Sequence, residues 1–375
     1  MGSAMKAKLL NLAVVLVSCL IALAGIEVAL RIWGPDVLAM GNQYVFYRFD
    51  PVLGWSNLPG ASGQFSRLEF SYPVHINSVG MWDREVAAKR SDEFRVAVLG
   101  DSFTWGIGVP YCQRYTEVVE AINPKINALN FGVAGYSPIQ YLLELDQVLA
   151  FKPDYVVLAF CLGNDLSDNV LSNPYVHPKP VAQLSADGSH FNIAGYPLID
   201  SKEAGPELVT AESRLRIVGL VRRQLDRLQR RQGPLEKFDE RWLYAPSEAL
   251  TAAQRQRVAV MYKVNELILA AIRKRIEAAL GPDRFAVLLV PTKLEYGIDP
   301  YMLKNSDPSI VSNAVLATLG RLKIPAIDGR SAIAPADFWE KDEHWRPSGH
   351  EKIGKLLAAH LAAAMAAAPD RLPAP

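Results

Sequence analysis

Cysteine is scarce in this chain: Cys19, Cys112 and Cys161 are the only ones in 375 residues. Cys19 lies in an apolar leader, so the body could close at most one bridge, and a disulfide framework is excluded. No C-x-x-C pair and no H-E-x-x-H pattern occurs, so zinc sites lack their common ligand spacings. Cys112 and Cys161 are expected to be small buried apolar residues. A basic excess is lacking too. Lys and Arg number 40 against 39 Asp and Glu, a formal charge of +1. Nucleic-acid binding proteins carry a concentrated basic surplus, so nucleic acid is not an expected partner. Gly106-Ile107-Gly108 neither abuts a strand nor completes G-x-G-x-x-G, so a dinucleotide fingerprint is missing. No G-x-S-x-G elbow appears either, which disfavours an ordinary α/β-hydrolase. No cofactor and no metal are expected.

What is present begins with hydrophobicity, which accounts for 50% of the residues. Leu9 to Ile26 is a long apolar run. Glu27 interrupts it, and Val28 to Trp33 resume it around Arg31. As a helix, Leu9 to Trp33 spans about 37 Å, enough for a bilayer core of roughly 30 Å. Glu27 and Arg31, four apart, can pair or reach the interface. Lys6 and Lys8 favour a cytoplasmic N-terminus and an extracytoplasmic body. Residues 1–33 are therefore read as an uncleaved membrane anchor. Two cleavage readings compete: a signal-peptidase site at Ala22-Leu23-Ala24, and a lipoprotein box at Leu16-Val17-Ser18-Cys19. A buried helix of a soluble core is the plainer alternative. Residues 34–91 are rich in aromatics, Pro, Gly and Asn, and read as an ordered lead-in packed on the core. A hairpin around Tyr72 to Ile76 fits the alternation there. The aromatics either bury area or grip substrate.

Residues 92–375 read as one α/β domain. Phe94 to Gly106 is F-R-V-A-V-L-G-D-S-F-T-W-G. The apolar run Val96 to Leu99 suits a buried strand. Its carboxyl end, Gly100-Asp101-Ser102, lies where open α/β sheets place their chemistry. Alone, this turn fits a helix N-cap equally well. A helix follows over Arg114 to Ile122, then a strand over Ile126 to Phe131 that ends near Gly135. Pro138 opens a helix to about Ala150. Asp154 to Phe160 is a third strand, ending at Cys161-Leu162-Gly163-Asn164-Asp165. This alternation implies a parallel sheet with helices on both faces. Ser102, Gly135 and Asn164 then share one edge. Further on, a helix is expected over Thr251 to Leu280 and a strand over Phe285 to Val290. A helix over Ser309 to Leu322, a strand over Ile324 to Ile327 and a helix over Ser348 to Ala366 complete the pattern.

Gly100-Asp101-Ser102, Gly135 and Gly163-Asn164-Asp165, followed by a late Asp342-Glu343-His344-Trp345, resemble the SGNH (GDSL) hydrolases. The D-x-H-W spacing departs by one residue from the family's D-x-x-H. It is similar to that of membrane-associated members, including periplasmic alginate O-acetyltransferases. Leu162 also stands where many members have Gly. The resemblance covers roughly Phe94 to Asp165 and Phe285 to Ala363. It implies a three-layer α/β/α, flavodoxin-like fold with a Ser102, Asp342, His344 triad. It also implies an oxyanion hole from the Ser102 and Gly135 N–H groups and the Asn164 amide. His350 is then a packing residue that follows the last block, and Asp165 a support for the Asn164 turn.

Those roles agree with elementary chemistry. Serine is a weak nucleophile and needs a base. His344 can take its proton near neutrality, and Asp342 can fix the imidazole tautomer. Lys293 follows the strand ending at Val290 and reads either as a substrate contact or as a surface lysine. Residues 166–250 break the α/β rhythm and read as a helical lid. Glu212 to Gln232 is an Arg-rich amphipathic helix, either a membrane or acidic-polymer contact or a solvated lid face. Three functions stay open. One is an esterase acting on acyl, above all acetyl, esters. Another is an O-acetyltransferase acting on a glycan. The third is an anchored non-catalytic scaffold for a polysaccharide or a membrane acyltransferase.

Overall fold

The computed structural model describes residues 3–33, 46–172, 178–195, 198, 217, 240–299 and 305–367. Helix α1, Ser3–Trp33, carries an apolar stretch over Leu10–Ile32 with none of its window buried. By length and composition it can cross a membrane; a signal sequence passes the same test. Glu27 and Arg31 pair at 2.8 Å, as their spacing suggested.

Two hairpins follow. Strands β1 (Tyr47–Asp50) and β2 (Gly54–Asn57) pair antiparallel, as do β3 (Ser62–Ser66) and β4 (Ser71–His75). Phe46, Phe65, Tyr72, Trp82 and Trp105 form their common core. Trp82 and Trp105 lie 4.3 Å apart between ring centroids. The lead-in aromatics are therefore packing residues first. Each such ring buries a large area and anchors its hairpin to the helix carrying Trp105.

The main sheet has five parallel strands: β5 (Phe94–Gly100), β6 (Ile126–Gly132), β7 (Tyr155–Cys161), β10 (Phe285–Val290) and β11 (Ala326–Asp328). Their spatial order is β6-β5-β7-β10-β11. The connecting helices are α2 (Ser102–Trp105), α3 (Tyr115–Ile122), α4 (Pro138–Ala150), α5 (Asp165–Asp168), α6 (Ala252–Leu280), α7 (Ser309–Arg321) and α8 (Pro347–Ala366). Thr251 caps α6 through a hydrogen bond from the Gln254 N–H, the signature of a capping box. Strands β8 (Val181–Leu184) and β9 (Phe191–Ala194) make a separate hairpin after α5.

Both faces of β5 are covered, which explains its unbroken apolar run. Ala97 and Leu99 face α4, α6 and α7, packing with Ile139, Ile268 and Val315. Val96 and Val98 face α3 and α8, packing with Val119, Ile353 and Leu357. Each buried Val, Leu or Ile side chain among them contributes roughly 1.5–3 kcal/mol by leaving water. The result is a three-layer α/β/α domain. Chain direction across the sheet reverses between β5 and β7, the switch point at which open sheets leave a crevice beyond the strand ends.

Some expectations are corrected. A helical turn at Ser102 agrees with the N-cap reading of Asp101, and a separate helix then starts at Tyr115, one residue later than expected. The last strand is Ala326–Asp328, beginning two residues and ending one residue later than expected, because Pro325 supplies only a carbonyl, which accepts from the Val287 N–H. Cys161 is buried as expected, but Cys112 is exposed, on a short helical turn before α3. The Arg-rich segment 212–232 lies outside the described residues, Ile217 excepted, as does much of the proposed lid.

Candidate active site

Strand β5 delivers Ser102, the expected nucleophile. Asp101 caps α2 by accepting from the Phe103 N–H at 2.9 Å. Gly106, at φ 93, ends the turn with its N–H on the Ser102 carbonyl at 3.0 Å. A side chain on Gly132 of the adjacent strand would collide with the Trp105 backbone. The missing Cβ thus lets α2 lie against the end of β6. Burial pushes the Asp101 carboxyl up to about 6, against the lowering effect of the Phe103 hydrogen bond and of His344. The cap reading of this turn holds for Asp101, and leaves the Ser102 side chain free for other work.

The end of β6 supplies Gly135. Its φ of 81 is a left-handed conformation that favours glycine. The turn is tied on two sides. Trp55 of β2 donates its Nε1–H to the Ala134 carbonyl at 3.0 Å. Lys179, fully buried, donates to the Ser137 hydroxyl at 2.9 Å and reaches the Gly135 carbonyl at 3.5 Å. Among the described residues, neither the Ser102 N–H nor the Gly135 N–H donates to a protein acceptor. From β7, Asp165 accepts from the Cys161 N–H at 2.9 Å, holding the turn as expected. The Asn164 side-chain amide donates to Asp168 at 3.2 Å, which orients it.

The loop before α8 brings the third group. His344 Nε2 lies 2.8 Å from Ser102 Oγ, and Nδ1 lies 2.6 Å from Asp342 Oδ1. Burial raises the Asp342 carboxyl, but the His344 charge, its hydrogen bonds and the Arg67 guanidinium outweigh this and hold it well below the usual range. With Asp342 ionised, Nδ1 carries the proton, and Nε2 accepts from the serine hydroxyl. Phe103 packs on the imidazole at 4.9 Å. His344 itself is only 2% exposed, its ring held by Phe103 and Asp342.

Ser102, Gly135, Asn164 and His344 line one cavity of 400 Å³. Tyr47, Trp55 and Phe65 of the lead-in form part of its wall. The packing role expected of these aromatics is therefore joined by a place in the cavity wall. Lys293 lines the cavity as well, but its Nζ donates to the Glu340 carbonyl at 2.8 Å. His350 lies outside the cavity, stacked on Tyr115 and accepting from its N–H at 3.3 Å. No group of three His, Cys, Asp or Glu among the described residues is placed to hold a metal ion. Arg67, Glu69, Asp168 and Lys179 were invisible as site residues. Arg67, Glu69 and Lys179 are far in sequence from the residues they hold, and Asp168 lies just past the Gly163-Asn164-Asp165 block, at the start of the stretch read as a lid.

These contacts define a serine–histidine–aspartate triad beside unpartnered backbone amides, at the switch point of a parallel sheet. No family model matches the chain, and no curated protein does. Solved structures similar to it include a putative lipolytic protein of the G-D-S-L family from Desulfitobacterium hafniense DCB-2, at 12% identity, TM-score 0.33, covering 71% of this chain and 99% of that one. A GDSL-like lipase from Bacteroides thetaiotaomicron VPI-5482 shows 12% identity and TM-score 0.37, over 74% and 93%. The psychrotrophic esterase EstA from Pseudoalteromonas sp. shows 11% identity and TM-score 0.38, over 73% and 100%.

Proposed function

We propose that the chain is a serine ester hydrolase of the SGNH type. The observation that carries this reading is His344, hydrogen-bonded at once to Ser102 and Asp342. Ser102 Oγ attacks the ester carbonyl carbon while its proton passes to His344 Nε2. The carbonyl oxygen becomes an oxyanion, held by the Ser102 and Gly135 N–H groups and the Asn164 amide. Collapse breaks the carbon–oxygen bond, and the alcohol leaves with the His344 proton. Water, deprotonated by the same imidazole, then hydrolyses acyl-Ser102. Asp342 stabilises the imidazolium in both halves. Acetyl is the favoured acyl group, and α1 is read as an anchor that holds the domain on the extracytoplasmic side. Lys293 lines the cavity and holds the loop through the Glu340 carbonyl, so it can act on substrate directly or through that loop.

A second reading is transfer of the acyl group to a glycan hydroxyl. The Asp342-Glu343-His344-Trp345 spacing and the aromatic cavity wall favour it. One assay separates the two. Purified chain is incubated with p-nitrophenyl acetate, with and without oligosaccharides. Free acetate alone supports the hydrolase, and an acetylated sugar supports the transferase. Absence of any acyl-Ser102 by mass spectrometry, with no turnover, contradicts both.

A further inference from the structure

The triad's acid–base half rests on a loop held in part from outside the main domain. Trp339 N–H donates to the His344 carbonyl at 3.1 Å and closes the loop. Inside it, three successive amides, those of Glu340, Lys341 and Asp342, converge on one acceptor. That acceptor is the Glu69 carboxylate, at 2.9, 2.7 and 3.0 Å. Consecutive backbone N–H groups form a concave nest for an anion. Here a side chain from more than 270 residues away fills it. Hydrogen bonds to an ionised acceptor are the stronger kind.

Two neighbours of Glu69 add to the hold. Arg67 reaches Asp342 Oδ2 at 3.5 Å, the oxygen that His344 does not use. Phe70 packs on Trp339 with ring centroids 5.4 Å apart. All three residues lie at the β3–β4 turn, so the hairpin sits on the loop as one piece. Lys293 holds the Glu340 carbonyl from the core side.

We propose that Glu69, assisted by Arg67, is a positioning residue. It fixes the 340–342 backbone so that Asp342 and His344 meet Ser102 in reactive geometry. The lead-in hairpin thereby completes the active site. This rests on the serine-ester reading above, and the test keeps the two apart. The full chain is compared with Glu69→Ala and Glu69→Gln by two measurements. Glu69→Ala removes every acceptor, so kcat on p-nitrophenyl acetate falls about 10²-fold with KM unchanged, the scale expected for misplaced reacting groups. Glu69→Gln keeps an acceptor oxygen and loses about tenfold at most. Hydrogen exchange of the 340–342 amides speeds up in Glu69→Ala, less in Glu69→Gln, and stays unchanged in β5 and β7.

Unchanged exchange at 340–342 in Glu69→Ala overturns the proposal, whatever the activity does. So does a loss of kcat that is equal in both variants and matched by faster exchange across the whole domain, since that marks a general fault in folding. If the wild-type chain turns over no ester, the hydrolase reading fails. Selective exchange at 340–342 still upholds the hold on the loop in that case, and its absence still refutes it.

Discussion

Ser102 and Asn164 follow strands buried along their whole length, whereas Asp342 and His344 lie on a loop held by contacts from a distant hairpin. The first wing is fixed by the sheet. Register between β5, β6 and β7 sets the spacing of the three turns, and the core on both faces resists any shift. The second wing is held by polar contacts from Glu69, Arg67 and Lys293, with Phe103 against the imidazole and Trp345 buried in the core beside it. The difference teaches where such a site can be loosened. Small changes in the hairpin should reach the base, while the nucleophile's turn should yield only when the core does.

Removing one central member from each wing gives the largest effects. Ser102→Ala should lower kcat by about 10⁶-fold, and adding His344→Ala should cost little more, because the two act as a unit. Steady-state kinetics on p-nitrophenyl acetate checks both. A double variant far below either single one would mean that the wings act independently. Asp342→Asn should cost about 10⁴-fold, by disturbing the tautomer that leaves Nε2 free to accept. On the sheet-borne wing, Asn164→Ala should cost about 10²–10³-fold in kcat through one lost oxyanion donor. A loss carried mainly by KM would instead place Asn164 in ground-state binding.

The smallest effect concerns stability rather than rate. His350 is fully buried, and burial, with the nearby Arg114 and His344 charges, pushes its pKa down to about 3 from 6.5. The unfolded chain takes up this proton below about 6.5, and the folded chain does not until about 3. His350 therefore weakens the fold as pH falls through that window. Asp101 acts in the opposite sense. Its carboxyl, raised to about 6 from 3.8, keeps its proton in the folded state, so its contribution is complete below 3.8 and lost as pH rises through 6. His350→Leu should flatten the decline of Tm between pH 6.5 and 4, and Asp101→Asn should steepen it. An unchanged slope in His350→Leu would show that this histidine is already charged in the folded chain.

The sheet-borne wing was readable in the sequence because its signals are local. An apolar run, a small polar turn and a following Pro-led helix lie within a few residues of one another, and β10 falls on Phe285–Val290 as expected. His344 and Asp342 were readable by motif, since two residues on one loop meet through a single Asx-type turn, with the His344 N–H on Asp342 at 3.0 Å. Glu69 and Arg67 were not, because nothing in Arg67-Leu68-Glu69-Phe70 marks a partner 275 residues on. Lys179 was hidden for a similar reason. A lysine in a loop-rich insertion reads as solvated, and only the fold shows it buried under the Gly135 turn. Cys112 erred the other way, since a lone small apolar residue gives no sign that it sits on an exposed turn.

The central claim is that His344, oriented by Asp342, makes the Ser102 hydroxyl reactive. Labelling with a fluorophosphonate and mapping the modified peptide by mass spectrometry tests it directly. The account predicts modification at Ser102 in the wild-type chain, and none at a comparable rate in His344→Ala. Equal labelling of the two, or a label that falls on another residue, would contradict it.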